Sequence, residues 1–326
     1  MVKVVYVENI KIKISSKLIN YNLEFEDSLN VIRGHSATGK SLLVRLIDNK
    51  KNSNITINSN YKLFHLTSEI LEGGYVLNTN TVYIMDEGDG IEDKIVVEAI
   101  NKNKYKFILI TRNAKLSNIS YSINQINEIY KSGKYNLNRK VYREDLNKDK
   151  PINYDNIDSI VTEDSGSGYE YYQTYDEFNV FSSKGNSNIN ECLKSNQIVV
   201  IDEIAFGPYI KTLEEKSVNK NIFIVYPKTF EWLVLTSKIF RISDEFLENN
   251  YHNGEYEINR EKYYENILKR ESNKLNIIYS KKKLNEKLKG VNQLDKINER
   301  LVELFHIDIK ELNENRQNNK QIKWGW

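Results

Sequence analysis

Cysteine, proline and histidine are scarce in this chain. Of its 326 residues, three are proline, one is cysteine (Cys192) and four are histidine (His35, His65, His252 and His306). A lone cysteine forms no internal disulfide, and the scattered histidines lack the spacing of a zinc cage. The sequence therefore predicts a protein of a reducing, cytoplasmic compartment without structural zinc.

Long apolar runs are absent as well, and the net charge is small. No stretch of about 18 uncharged apolar residues is present, and charges interrupt the N-terminal segment, so neither a membrane span nor a signal peptide is predicted. Forty-seven basic against 45 acidic side chains leave a formal charge of +2. Because no global positive field attracts nucleic acid, any partner has to be inferred from local sites.

The apolar pattern predicts an α/β fold in more than one unit. At roughly 100–200 residues per domain, the length allows two or three units. Short β-type runs before residue 34 predict antiparallel strands. Strands then alternate with helices as in βαβ units, with a strand predicted at 81–85 and a helix at 94–101. A shorter strand and a helix are expected between 114 and 150. The predicted domains are 1–150, 151–250 and a helical region at 251–326.

A glycine-rich motif follows the fourth β-type run. Residues 34–41 read GHSATGKS and precede an apolar segment that predicts a buried helix. Such a loop curls so that its N–H groups and the start of the helix face a phosphate, Lys40 bridges the β- and γ-phosphates, and Ser41 binds Mg²⁺. The predicted nucleotide-binding residues are Gly34, Ser36, Ala37, Thr38, Gly39, Lys40, Ser41, Asp86 and Arg112.

Two acidic residues end the apolar run at 81–85. Asp86 is the predicted ligand of Mg²⁺ together with Ser41, and Glu87 is the candidate catalytic base that orients water. Arg112 follows a further apolar strand and is a candidate sensor of the γ-phosphate. The sequence is equally consistent with Arg112 as a helix cap or a solvent-exposed side chain.

These motifs resemble the ATP-binding-cassette branch of P-loop ATPases over about residues 1–115. The resemblance rests on the antiparallel β preface, GHSATGKS, and VYIMDE with Glu87 directly after Asp86. It implies ATP as cofactor. Members of that branch carry a helical subdomain with a signature motif, whereas Lys40 and Asp86 are only 46 positions apart. Glu72-Gly73-Gly74 echoes that signature without its serine, so ATP binding carries over well and hydrolysis driven by two copies carries over poorly.

A second set of acids ends two later strands. Glu163 follows the β-type run at 157–162, and Asp202 and Glu203 follow the run at 197–201. In a parallel sheet these ends share one edge, where oxygen ligands suit Mg²⁺ or Mn²⁺ for phosphodiester chemistry. The predicted metal ligands are Ser41, Asp86, Glu163, Asp202 and Glu203, and the predicted catalytic residues are Glu87, Glu163 and Asp202.

This second region is similar to the Toprim fold of topoisomerases, primases and overcoming-lysogenization-defect (OLD) family nucleases. Glu163 matches its first acidic position, Gly185 its glycine and Asp202 the start of its Asp-x-Asp pair. Ile204 stands where the second Asp belongs, so a further ligand has to come from Glu203, Asp164 or Glu231. The acids are also consistent with structural strand ends, or with a second Walker-B-like strand in one larger sheet.

OLD proteins join a cassette-like ATPase to a Toprim domain in the chain order seen here. The resemblance implies an ATP-regulated, divalent-metal-dependent nuclease acting on DNA or RNA in defence against mobile elements. The alternatives are an ATP-switched interaction protein whose second domain performs no chemistry, and a plain ATPase that remodels a partner. The C-terminal helices would brace the second domain or mediate self-association, a partner protein or second copy could complete the ATP site, and Lys281–Lys283 is interpreted as a solvated face.

Overall fold

The computed structural model describes most of the chain. The described residues are 9–17, 19–34, 39–112, 116–142, 146–148, 150–240, 242–253 and 259–324. The chain divides into two compact units, Met1–Arg143 with His252–Asn259 and Glu144–Tyr251 with Arg260–Trp326. Each unit has its own sheet, so the chain is a mixed α/β protein.

One mixed sheet of nine strands is found among the described residues of the first unit. The strands are β1 (Ile10–Ser15), β2 (Asn20–Phe25), β3 (Leu29–Arg33), β4 (Thr56–Ser59), β5 (Lys62–His65), β6 (Thr81–Met85), β7 (Lys106–Ile110), β8 (Ile126–Ser132) and β9 (Tyr135–Lys140). Their order across the sheet is β4-β1-β2-β9-β8-β3-β7-β6-β5. The described helices of this unit are α1 (Lys40–Asp48), α2 (Ser68–Glu72) and α3 (Lys94–Asn101).

The antiparallel part of this sheet follows from strict alternation in the sequence. In β1 the side chains of Ile10, Ile12 and Ile14 are buried while the residues between them are exposed, the period expected of a half-buried strand. Strand β1 pairs antiparallel with β2, where Ile12 lies opposite Leu23. The buried face packs in one core with Leu43 of α1. The prediction of antiparallel strands before residue 34 is confirmed for β1 and β2 and is wrong for β3, which pairs parallel with β7 and β8. The β-type run at 3–7 lies outside the described residues.

The parallel part of the sheet is built from continuous apolar runs. Strands β3, β7, β6 and β5 are neighbours in that order and all run parallel. All five residues of β6 are buried, as expected for a strand covered on both faces. The strand predicted at Thr81–Met85 and the helix predicted at Lys94–Asn101 are both confirmed.

The expectation of a strand and a helix between 114 and 150 is wrong. The described residues of that stretch form the antiparallel pair β8 and β9. Strand β8 pairs parallel with β3, and β9 pairs parallel with β2, so this hairpin joins the two parts of the sheet. Its many Asn and Lys residues obscure the strand pattern, because only Ile126, Asn127 and Ile129 of β8 are buried.

The second unit contains a parallel sheet of four described strands. They are β10 (Ser159–Thr162), β11 (Asn179–Ser182), β12 (Gln197–Val200) and β13 (Ile222–Val225), in the order β11-β10-β12-β13. The helices are α4 (Ser167–Tyr172), α5 (Asn186–Ile189), α6 (Ile210–Ser217), α7 (Phe230–Thr236), α8 (Asp244–Asn253, with Asp244–Tyr251 in this unit), α9 (Arg260–Lys274), α10 (Val291–Phe305) and α11 (Ile309–Trp324). The residues of β10, β12 and β13 are all buried. The last three helices, α9 to α11, lie in the stretch predicted to be helical and form part of the second unit.

Candidate functional site

The sheet order of the first unit brings three distant segments to one edge. Strand β7 lies between β3 and β6, and all three run parallel. Their carboxyl ends therefore share an edge. Lys40 follows β3, Arg112 follows β7, and Asp86 and Glu87 follow β6. Charged residues separated by up to 72 positions in the chain are thus placed together.

The backbone around Gly39 is tightly constrained. Gly39 precedes α1 with a φ of 86°, a conformation that favours glycine. The hydroxyl of Tyr21 donates a 2.7 Å hydrogen bond to the Gly39 carbonyl, and a Cβ at position 39 would lie 2.7 Å from that hydroxyl oxygen. Both observations explain why the loop needs glycine here. Strand β2, through Tyr21, therefore fixes the point where α1 begins.

Lys40 is an enclosed cation at the first position of α1. Its residue is 6% exposed, and its Nζ donates to the carbonyl of Gly34 at 2.5 Å. Burial lowers the pKa of Lys40, and the charge of Arg112 lowers it further, while Asp86 and Glu87 act in the opposite direction. Arg112, Asp86 and Glu87 therefore all lie near enough to Lys40 to influence its charge.

The acidic pair after β6 is held in a turn. The backbone N–H of Asp86 donates to Asp89 Oδ2, and the N–H of Glu87 donates to Asp86 Oδ1 at 2.9 Å. Glu87 is exposed, and its Oε2 lies 3.9 Å from Nε of Arg112. This contact with Glu87 places Arg112 at the candidate site. The side chain of Arg112 is 63% exposed.

The predicted nucleotide-binding residues fall into three groups. Gly34, Gly39, Lys40, Asp86 and Arg112 lie at this edge, as does the candidate base Glu87. Ser41 is the second residue of α1 and is exposed. Ser36, Ala37 and Thr38 lie outside the described residues. The donor set fits a magnesium nucleotide, because Lys40 and Arg112 supply cations for phosphates while Ser41 and Asp86 supply oxygen atoms for the metal ion.

The second sheet also brings two predicted residues together. Strands β10 and β12 are parallel neighbours. Glu163 is the first residue after β10, and Asp202 is the second residue after β12. The backbone N–H of Asp202 donates to Glu163 Oε2 at 3.2 Å. Both residues line a cavity of about 20 Å³, with Asp164 beside them. A single water molecule needs roughly 10–15 Å³ of such space, so the cavity has room for about one small ion or water.

Enclosure and mutual repulsion perturb these carboxyl groups. Burial raises the pKa of Glu163 to about 7. Burial, together with the charge of Glu163 and then of Glu231, holds the pKa of Asp202 well above its usual range. Burial likewise raises the pKa of Glu231, which is 2% exposed. We call Glu163, Asp202 and Glu231 the acidic cluster.

The connection between α9 and α10 contacts the acidic cluster. The Tyr279 hydroxyl donates to Glu231 Oε1 at 2.7 Å and shares a 2.8 Å hydrogen bond with the Ser167 hydroxyl. Lys281 forms an ion pair with Glu261 of α9, and its charge acts on Glu231 and Asp202. Sequence reasoning missed Tyr279, Lys281 and Glu261. Lys282 and Lys283 are exposed, as the interpretation of Lys281–Lys283 as a solvated face predicts, whereas the side chain of Lys281 is 39% exposed and is paired with Glu261.

The remaining candidates of the second unit have separate positions. Asp164 accepts hydrogen bonds from the N–H groups of Gly166 and Gly168, both at 2.8 Å, and so closes the turn before α4. The N–H of Gly185 donates to the carbonyl of Glu163 at 3.0 Å. Glu203 is 4% exposed and is not among the residues that line the cavity. Within the described ranges, no three or more His, Cys, Asp and Glu side chains are grouped so that they could hold a metal ion.

No protein-family model, curated protein or solved structure matches this chain. Among the described helices, none combines the length and the apolar composition that a bilayer crossing requires. The function is therefore argued from the two sites themselves.

Proposed function

We propose that the first unit binds and hydrolyses ATP with Mg²⁺. The observation that carries this proposal is the convergence of Lys40, Asp86, Glu87 and Arg112 at one edge of a parallel sheet, behind a glycine-rich loop. Lys40 would donate to the phosphates, Ser41 and Asp86 would hold the metal ion, and Glu87 would accept a proton from water. Bound Mg²⁺ neutralises charge on the phosphates.

The charges of the site support an anionic ligand. Burial and Arg112 both disfavour the charged form of Lys40, which lowers its pKa. A polyphosphate beside both cations would relieve this repulsion. Glu87 and Arg112, by contrast, are exposed and can reorient when the ligand arrives.

Nucleotide binding and hydrolysis can be tested separately. Lys40→Ala is expected to abolish binding of a fluorescent ATP analogue, while Glu87→Gln retains binding and loses hydrolysis by about 10²- to 10⁴-fold. Lys50→Ala changes an exposed lysine just after α1 and serves as the matched control. Equal ATP affinity in Lys40→Ala and Lys50→Ala would refute the proposal.

We further propose that the second unit is a divalent-metal-dependent nuclease domain acting on DNA or RNA. The supporting observation is that Glu163 and Asp202 share a small cavity and that burial raises the pKa of both. Carboxylates crowded in this way favour a cation, and their oxygen atoms suit Mg²⁺ or Mn²⁺. Such an ion supplies charge stabilisation at a phosphodiester. The resemblance to OLD proteins extends this proposal to ATP regulation and to defence against mobile elements.

A non-catalytic second unit is the alternative. It is favoured by the lack of a three-residue metal-binding group among the described residues. Plasmid nicking with Mg²⁺ or Mn²⁺ decides between the two functions. A nuclease would lose nicking in Glu163→Gln and keep it in Glu191→Gln, an exposed carboxylate of the same unit. No nicking by the unchanged protein, with or without ATP, would favour the ATP-switched interaction protein.

A further inference from the structure

His65 joins two segments of the proposed ATP site. It is the last residue of β5, the edge strand beside β6. Its Nδ1 lies 3.0 Å from each carboxylate oxygen of Asp48, the last residue of α1. Its Nε2 lies 2.8 Å from Oδ2 of Asp89. The imidazole therefore connects the helix that begins with Lys40 to the segment after β6.

Asp89 closes the turn that carries the predicted metal ligand and base. Its Oδ2 accepts the hydrogen bond from the N–H of Asp86, and its own N–H donates to the Asp86 carbonyl at 2.9 Å. The Asp89 carbonyl accepts from the N–H of Ser68 at 2.9 Å. Gly90 then leaves the turn with a φ of 73°, where a Cβ would lie 2.3 Å from the Ser68 hydroxyl. The turn is thus fixed through the same carboxylate that His65 contacts.

The two contacts of His65 require both ring nitrogens as donors. A neutral imidazole has one N–H, whereas an imidazolium donates from both nitrogens, and both carboxylates are acceptors. The charged groups that face the ring are Asp48 from α1 and Asp89 from the turn after β6. Burial alone would lower the pKa of His65, but hydrogen bonding and charge from Asp89 and Asp48 outweigh it and raise the pKa.

We propose that His65 is a positioning residue of the ATP site, which as an imidazolium ties α1 to the turn that carries Asp86 and Glu87. This inference rests on the proposed ATPase function. Loss of the proton leaves one N–H for two carboxylates, so either Asp48 or Asp89 is released. The link through His65 is then broken, and the turn that carries Asp86 and Glu87 loses its connection to α1.

Turnover at several pH values tests the kinetic part. His65→Ala is expected to lower kcat about tenfold with little change in KM, the size of effect typical for residues that orient a metal-binding group. The unchanged protein should lose turnover as the pH rises through the pKa of His65. His65→Arg, which keeps two donors and a permanent charge, should retain turnover at high pH. His306→Asn serves as control, because His306 is exposed in the second unit and asparagine tolerates its φ of 56°.

A proton NMR titration of the four histidines tests the contact itself. The pKa of His65 should lie above 6.5 in the unchanged protein and fall in Asp89→Asn. An unshifted pKa of His65, or a kcat that is the same in His65→Ala and in the control, overturns the inference while ATP binding stays intact. Failure of the proposed function is recognised differently, because the unchanged protein would then bind no ATP although His65 titrates as expected; the positioning role would fall with it.

Discussion

Replacing Glu163 by glutamine should stabilise the second unit at pH 8 but not at pH 4.5. Burial raises the pKa of Glu163 from 4.5 to about 7. Between these values the folded chain holds a proton that the unfolded chain has released, so stability falls as the pH rises and the loss is complete above about pH 7. Glutamine is neutral throughout and can still accept the hydrogen bond from the N–H of Asp202.

The magnitude follows from the difference between the two pKa values. A difference of about 2.5 at roughly 1.4 kcal/mol per pH unit gives about 3–4 kcal/mol of unfolding free energy. For a unit of this size, 1 kcal/mol changes Tm by about 2–4 °C, so Glu163→Gln should raise Tm by about 6–16 °C at pH 8. Near pH 4.5 the two proteins should unfold at nearly the same temperature.

Tryptophan fluorescence is a suitable assay for this prediction. The chain has three tryptophans, and one of them, Trp232, is buried in the second unit. Glu191→Gln, at an exposed position, should leave Tm unchanged at both pH values. Excess Mn²⁺ at pH 8 should stabilise the unchanged protein more than Glu163→Gln. A Tm difference that does not vary between pH 4.5 and pH 8 would show that the carboxyl group is not destabilised by burial.

Three further changes have defined outcomes. Thr229→Ala removes the side-chain cap of α7 and should cost about 1 kcal/mol of unfolding free energy in a urea titration, whereas Thr229→Ser should cost little. Although burial opposes it, Arg260 and Lys228 hold the pKa of Glu248 at about 2, so this group contributes stability that is lost as the pH falls from about 4.5 to 2. In Glu248→Gln the urea midpoint should therefore fall less steeply over this pH range than in the unchanged protein. Gly90→Ala should lower the Tm of the first unit by calorimetry, because alanine is strained at a φ of 73° and its Cβ has no space; an unchanged Tm would contradict this account of the turn.

The sequence predicts correctly those helices and strands that have a clear apolar pattern of their own. The apolar run at Thr81–Met85 and the amphipathic segment at Lys94–Asn101 carry their own signals, and both elements form as expected. Strands β8 and β9 have only a partly apolar face, and their partners β3 and β2 lie about a hundred residues earlier. Such pairing depends on the three-dimensional arrangement, which no local pattern contains.

The same distinction applies to the two sites. The loop at 34–41 and the acids after β6, β10 and β12 were found because each motif is contiguous in the sequence. The pairing of Lys281 carries no such signal, because its partner Glu261 lies twenty positions earlier on α9 and the two meet only after a chain reversal. His65 gave no sequence signal either, since its two partners come from separate elements.

The β8–β9 hairpin lies between β2 and β3 in the sheet, and this order affects folding during translation. Glu24 in β2 meets Asn138 in β9, which follows it by 114 positions. At about 5–20 residues added per second, the ribosome needs roughly 6–20 s to deliver that partner. During this interval the nascent amino-terminal strands have open edges that invite pairing with other chains. The polar residues on the exposed face of β2, such as Glu24 and Asn22, would keep these unpaired strands soluble until translation has passed residue 140.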